Sequence, residues 1–119
     1  MHKAIELEQN LTKFSISIIK FIRKVEKDIP RSLADQIIRS ATSIGANYTE
    51  AINGSSKADF KNKIFIAKKE ASETKYWLNI IKELVDSSEI EILNEEVQKY
   101  IMILQKTVNT LNGKAKNDK

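Results

Sequence analysis

Phe60, Ile64, Ala67, Ala71, Thr74, Leu78, Ile81 and Val85 follow one another at alternating steps of four and three residues. An α-helix turns once in about 3.6 residues, so these positions share one narrow stripe, whereas a strand would scatter them over both faces. A stripe of this length is the seam of a helix that packs lengthwise on other helices at small crossing angles. The rest of the chain must then supply partners of similar length.

Three further segments do so. Helix 1 is predicted from about residue 4 to 28, with Leu11, Phe14, Ile18, Phe21, Ile22 and Val25 on one face. Pro30 ends it, because the residue before a proline is pushed out of the helical region. Helix 2 is predicted over about 32–53, its apolar face formed by Leu33, Ile37, Ala41, Ile44, Tyr48 and Ala51. In the turn that follows, Gly54 suits the position just past a helix end. Ser56 suits an N-cap, with Asp59 completing an S-x-x-D pattern. Helix 3 is predicted over about 57–86. Ser88 is the expected N-cap of helix 4 (about 89–111), where Glu89 and Glu91 favour the positive helix end. Helix 4 carries Ile90, Leu93, Val97, Tyr100, Ile101, Leu104, Val108 and Leu111, and Gly113 stops it. The tail, 112–119, is expected to fray. Connections this short force neighbours to run antiparallel. The expected fold is therefore all-α: an antiparallel up-down-up-down four-helix bundle, one domain over 1–119.

Composition agrees and narrows the chemistry. With 3 Gly and 1 Pro in 119 residues, few turns can be built. Cysteine is absent, which removes disulfides, thiolate nucleophiles and cysteine metal sites. The one histidine, His2, sits at an N-terminus expected to be mobile, and no Glu-x-x-His pair, phosphate loop or nucleophile elbow is present. Glu70 and Glu73 lie a turn apart, but ion pairing with lysines nearby is the simplest account of them. No enzyme activity, cofactor or metal is expected. No apolar run reaches the roughly 18 residues of a membrane span, and the N-terminus lacks the apolar segment of a signal peptide, so a cytoplasmic location is expected.

Two helices carry more than a bundle needs. Helix 3 flanks its seam with Ile66, Trp77, Ile80 and Leu84, which suits either a deeply set helix or a subunit interface anchored by Trp77, the latter being favoured. On its other flank Lys61, Lys68, Lys75 and Lys82 recur every seven residues, about 10 Å apart. Such a row is either a solvated face or a ridge that tracks phosphates. On helix 2, Gln36, Ser40, Ser43, Asn47 and Glu50 form a mostly neutral polar stripe. It predicts hydrogen-bonded contact between helices or subunits, or else local bonding to the backbone. Gly45 forgoes about 1 kcal/mol of helix propensity relative to Ala, and tight packing is the expected reason.

The run LADQIIRSATSIGANYTEA from Leu33 to Ala51 contains Q-I-x-R-S-x-x-S-I-x-x-N-x-x-E on Gln36, Ile37, Arg39, Ser40, Ser43, Ile44, Asn47 and Glu50. From Phe60 to Leu78 the chain reads FKNKIFIAKKEASETKYWL. Together they resemble the four-helix bundle proteins encoded by intervening sequences of bacterial 23S rRNA genes, a family to which a group of retroelement accessory proteins is related. Where that family often has a second basic residue and a glycine, this chain has Ile38 and Ala51. The resemblance implies a closed ring of five identical bundles that contacts RNA or DNA through basic residues, Arg39 being the position that carries over most directly. The function expected is non-enzymatic binding of structured RNA, with Arg39, Lys57, Lys61, Lys68 and Lys75 as phosphate contacts. Gln36, Ser43, Asn47, Glu50, Glu73 and Trp77 are the expected interface or polar seam. The alternative is a structural or adaptor ring for a protein partner such as a polymerase or reverse transcriptase.

Overall fold

The computed structural model describes residues 2–113; the expected fraying of the segment beyond Gly113 lies outside them. Helix α1 runs His2–Val25 and tightens into a single 3-10 turn, Glu26–Asp28. The other helices are α2 (Arg31–Ile52), α3 (Lys57–Leu84) and α4 (Glu89–Leu111). His2 thus belongs to a helix, and α1 gives up its α-geometry three residues before the predicted end.

Most helix ends follow their local chemistry. Ile29 is extended, at φ −132° and ψ 155°, as its proline neighbour demands. The carbonyl of Pro30 accepts from the backbone N–H of Leu33 and of Ala34, both at 3.1 Å, and so starts α2. Ser56 caps α3 as expected, its hydroxyl accepting from the Asp59 N–H at 3.0 Å. Gly113, at φ +77°, takes the left-handed position that ends α4.

Two expectations need correction. Among the described residues Gly113 alone has a positive φ, so Gly54 is not a left-handed cap. A Cβ there would lie 2.5 Å from Asp59 Oδ2, a side-chain end that can turn away, and 3.3 Å from the Ala51 carbonyl oxygen, a tight contact. Ser88 makes no side-chain cap bond. Ser87 takes that role, its hydroxyl accepting from the Glu89 N–H at 3.2 Å.

Cross-helix contacts fix the topology. Along α3 and α4, Lys75 meets Gln98, Asn79 meets Asn94 and Lys82 meets Glu91. Along α2 and α3, Arg39 meets Glu73, Ser40 meets Thr74 and Glu50 meets Lys63. Ser15 reaches the Ala41 carbonyl, and Glu8 accepts from Thr49. Lys24 pairs with Glu89, and Tyr100 lies against Asn10. Over more than a turn of helix one number falls as the other rises in every set (39 with 73 and 50 with 63 along α2 and α3), so the helices run up, down, up and down.

The predicted apolar faces meet at the centre. Phe14, Ile18, Phe21, Ile37, Ile44, Ile64, Leu78, Ile81 and Val97 are at most 1% exposed. Burying a side chain of this size stabilises the fold by roughly 1.5–3 kcal/mol. Phe14 packs edge-on to Tyr100 with ring centroids 5.5 Å apart. Leu111 is the exception, remaining 36% exposed at the end of α4. No helix among the described residues is long and apolar enough to cross a membrane.

Candidate nucleic-acid interface and polar seam

Positions 36, 39 and 40 of α2 lie on one face, as do 70, 73, 74 and 77 of α3. The antiparallel register lays one face on the other. Arg39 Nη1 donates to Glu70 Oε1 at 3.2 Å and to Oε2 at 3.4 Å. Its Nη2 donates to Glu73 Oε2, and its Nε donates to Gln36 Oε1 at 3.3 Å. The Trp77 indole N–H donates to the same Glu73 oxygen at 3.1 Å. The hydrogen bond that Arg39 donates to Glu73 raises the Arg39 pKa; desolvation opposes it, and the charges of both carboxylates and the bond to Glu70 add to it.

One layer deeper, the hydroxyls of Ser40 and Thr74 lie 2.8 Å apart, and both residues are fully buried. Thr74 also donates to the Glu70 carbonyl at 2.8 Å. The two motifs in α2 and α3 are thus halves of one network. This corrects one expectation: Glu70 and Glu73 pair with Arg39 and not with lysines. Arg39 clamps α2 to α3 while its side chain stays 46% exposed, so its guanidinium is engaged by Gln36, Glu70 and Glu73 at the rim of the bundle.

The lower part of the polar stripe divides. Ser43 and Asn47 are half-buried, and Asn47 Nδ2 donates to the Ser43 carbonyl at 2.9 Å, which is local bonding to the backbone. Glu50 is exposed and ion-pairs across to α3 with Lys63 at 2.8 Å, a contact between helices of the kind expected for this stripe. That hydrogen bond and the carboxylate's charge raise the Lys63 pKa.

The lysine row borders the α3–α4 groove. Lys75 donates to Gln98, and Lys82 pairs with Glu91 at 2.9 Å, which raises its pKa. Lys57 and Lys61 are exposed and Lys68 is half-buried. Among the described residues no ion pair holds these three. The row is therefore not one open ridge, since its second half is engaged with α4.

Trp77 is half-buried and packs against the core with Ile80, while Tyr76 touches it edge-on at 5.1 Å. Gly45 brings α1 close: a Cβ there would sit 3.4 Å from Leu11 Cβ, ordinary contact and not a clash. Sequence reasoning overlooked a second basic surface, Lys13, Lys20, Arg23 and Lys27 on the outside of α1, all exposed. The available signal was the absence of any Asp or Glu between Glu8 and Glu26.

The family described as 23S rRNA-intervening sequence protein matches residues 3–106. A solved structure of a protein with unknown function from the S23 ribosomal protein family of Bacteroides thetaiotaomicron VPI-5482 is similar at 35% identity and a TM-score of 0.77. The alignment covers 90% of this chain and 98% of that one. No curated protein matches the chain.

Proposed function

This chain belongs to the 23S rRNA-intervening sequence protein family, and from that premise we propose that it is a non-catalytic bundle that assembles with copies of itself and binds structured RNA. The observation that carries the RNA reading is a formal charge of +4 combined with a pairing pattern that leaves basic side chains, Lys57, Lys61 and Lys68 among them, without ion-pair partners among the described residues. Unpaired lysines suit backbone contact, which is electrostatic and largely blind to sequence. Assembly is supported by Tyr76, Ile92 and Met102, which are 58%, 64% and 63% exposed although the core is complete without them. Five copies, the number the resemblance implies, would carry about +20, five times the formal charge of one chain. A binding role is preferred to catalysis because the carboxylate pair that the sequence singles out, Glu70 and Glu73, is already occupied by Arg39. A cytoplasmic setting accompanies this reading.

Sedimentation at micromolar concentration should give a mass well above 13.6 kDa, and a clean monomer refutes assembly. Anisotropy titration against rRNA fragments should show binding that weakens steeply with salt, and a flat titration at about 50 mM salt refutes the RNA reading. The adaptor reading draws on Ile92, Met102 and Ile103, exposed apolar side chains of α4 that could seat a protein partner such as a polymerase or reverse transcriptase.

A further inference from the structure

We infer that the polynucleotide backbone is bound along the outer face of α1, by Lys13, Lys20, Arg23 and Lys27. The inference rests on the RNA-binding reading and locates its contact surface. At 100° per residue, Lys13, Lys20 and Arg23 fall within about 80° of arc, and Lys27 continues the row into the 3-10 turn. All four are exposed. At a rise of 1.5 Å per residue the row extends roughly 20 Å in one line. A linear row of this length matches a linear polyanion better than a small anion, which would need convergent donors.

Like Lys57, Lys61 and Lys68, this row is unpaired among the described residues, but it lies in a stretch with no Asp or Glu between Glu8 and Glu26, whereas α3 interleaves acids with its lysines. Among the described residues, ion pairs or hydrogen bonds engage Arg39, Lys63, Lys75 and Lys82 on α2 and α3. None engages Lys13, Lys20, Arg23 or Lys27. Of the cations in this half of α1, Lys24 is the one that is paired, with Glu89 at 3.2 Å. The nearest carboxylates in sequence, Glu26 and Asp28, follow the helix in the 3-10 turn. Cations in a last helical turn complement the helix dipole, which accounts for Arg23 and Lys24. That effect fades within one turn and leaves Lys13 and Lys20 unexplained.

An anionic bilayer would attract the same charges, but an interfacial helix also inserts an apolar face. The apolar face of α1 is committed to the core, and Ile16, 46% exposed, is the one large apolar side chain within the row. The contact is therefore electrostatic and polynucleotide in kind.

The test compares Lys20→Gln/Arg23→Gln/Lys27→Gln, its charge-reversed Glu counterpart, and Lys57→Glu/Lys61→Glu/Lys68→Glu. Far-ultraviolet circular dichroism checks each fold, and the Gln variant keeps the test valid should charge reversal weaken the end of α1. The probes are a labelled RNA hairpin of mixed sequence and phosphatidylserine-containing vesicles. The α1 variants should weaken hairpin binding about tenfold or more and lower the log–log salt slope by about 2 to 3, at 0.7–0.9 for each phosphate that is no longer neutralised. Wild-type affinity and slope in the α1 variants, with loss confined to the α3 variant, overturns the α1 surface and leaves RNA binding standing. Vesicle binding without hairpin binding overturns it in favour of a membrane surface. No binding of the wild type to any RNA at about 50 mM salt overturns the functional reading and this inference with it.

Discussion

The buried hydroxyl pair between α2 and α3 can be dissected by a double-mutant cycle. Ser40 and Thr74 are both fully buried, and their hydroxyls are 2.8 Å apart. Thr74 donates to the Glu70 carbonyl, so the pair is satisfied when Ser40 donates to Thr74. Ser40→Ala removes one accepted hydrogen bond, a loss of about 1 kcal/mol. It regains about 0.5 kcal/mol of helix propensity, leaving a net cost near 0.5 kcal/mol. Thr74→Val removes the partner of the Ser40 hydroxyl, which then has only the Ile37 carbonyl at 3.3 Å. That change should cost about 1 kcal/mol, because Val and Thr have similar propensity and volume. The double variant leaves no hydroxyl behind and keeps the shape, so it should lie within about 0.5 kcal/mol of wild type. The predicted coupling is then about 1 kcal/mol. Urea unfolding reads it: with a slope near 2 kcal/mol per molar, 1 kcal/mol moves the midpoint by about 0.5 M. All four proteins must be compared at one concentration, because assembly adds to apparent stability. Additive single effects would refute the coupled pair.

Gly45→Ala should stabilise the bundle by up to about 1 kcal/mol, since the new methyl meets Leu11 at ordinary contact; a lower unfolding midpoint would show that α1 cannot accept it. Arg39→Ala should destabilise by about 1 kcal/mol at low salt and by less at high salt, because the pairs it breaks are partly exposed and screened; a loss of RNA affinity with unchanged stability would contradict its role as a clamp. Burial, then the hydrogen bond and charge of Glu96, raise the Tyr100 pKa. Its contribution is therefore full below the unfolded tyrosine value of about 10 and is lost as pH rises beyond it. Tyr100→Phe should flatten the alkaline decline of the thermal midpoint, and an unchanged slope would exclude this linkage.

Helix positions and the core were legible because both follow from short-range rules. Period placed Phe14, Ile37, Ile64 and Val97 inside, and Pro30, Ser56 and Gly113 mark boundaries through their own backbones. What was not legible depends on register between distant segments. Nothing near Arg39 in sequence announces Glu70 and Glu73, which arrive only when α2 and α3 are laid antiparallel. The same holds for Lys75 and Gln98. Counting charges leaves α1 and α3 equal, each with three more cations than acids, and a count is silent on pairing: only the folded arrangement shows Lys75 and Lys82 engaged with α4. Gly54 stands where the sequence put it, just past the end of α2, but without the left-handed φ that Gly113 adopts, and only the folded turn shows that difference.

The clamp between α2 and α3 also bears on how such a chain can change over time. Loss of Arg39 leaves two carboxylates facing each other, and loss of Glu73 frees both a guanidinium arm and an indole N–H. A substitution at any one of positions 36, 39, 70, 73 and 77 therefore strips a partner from another, and a matched pair of changes costs the bundle less than either alone. A helix pairing by itself is enough to tie these five polar side chains together.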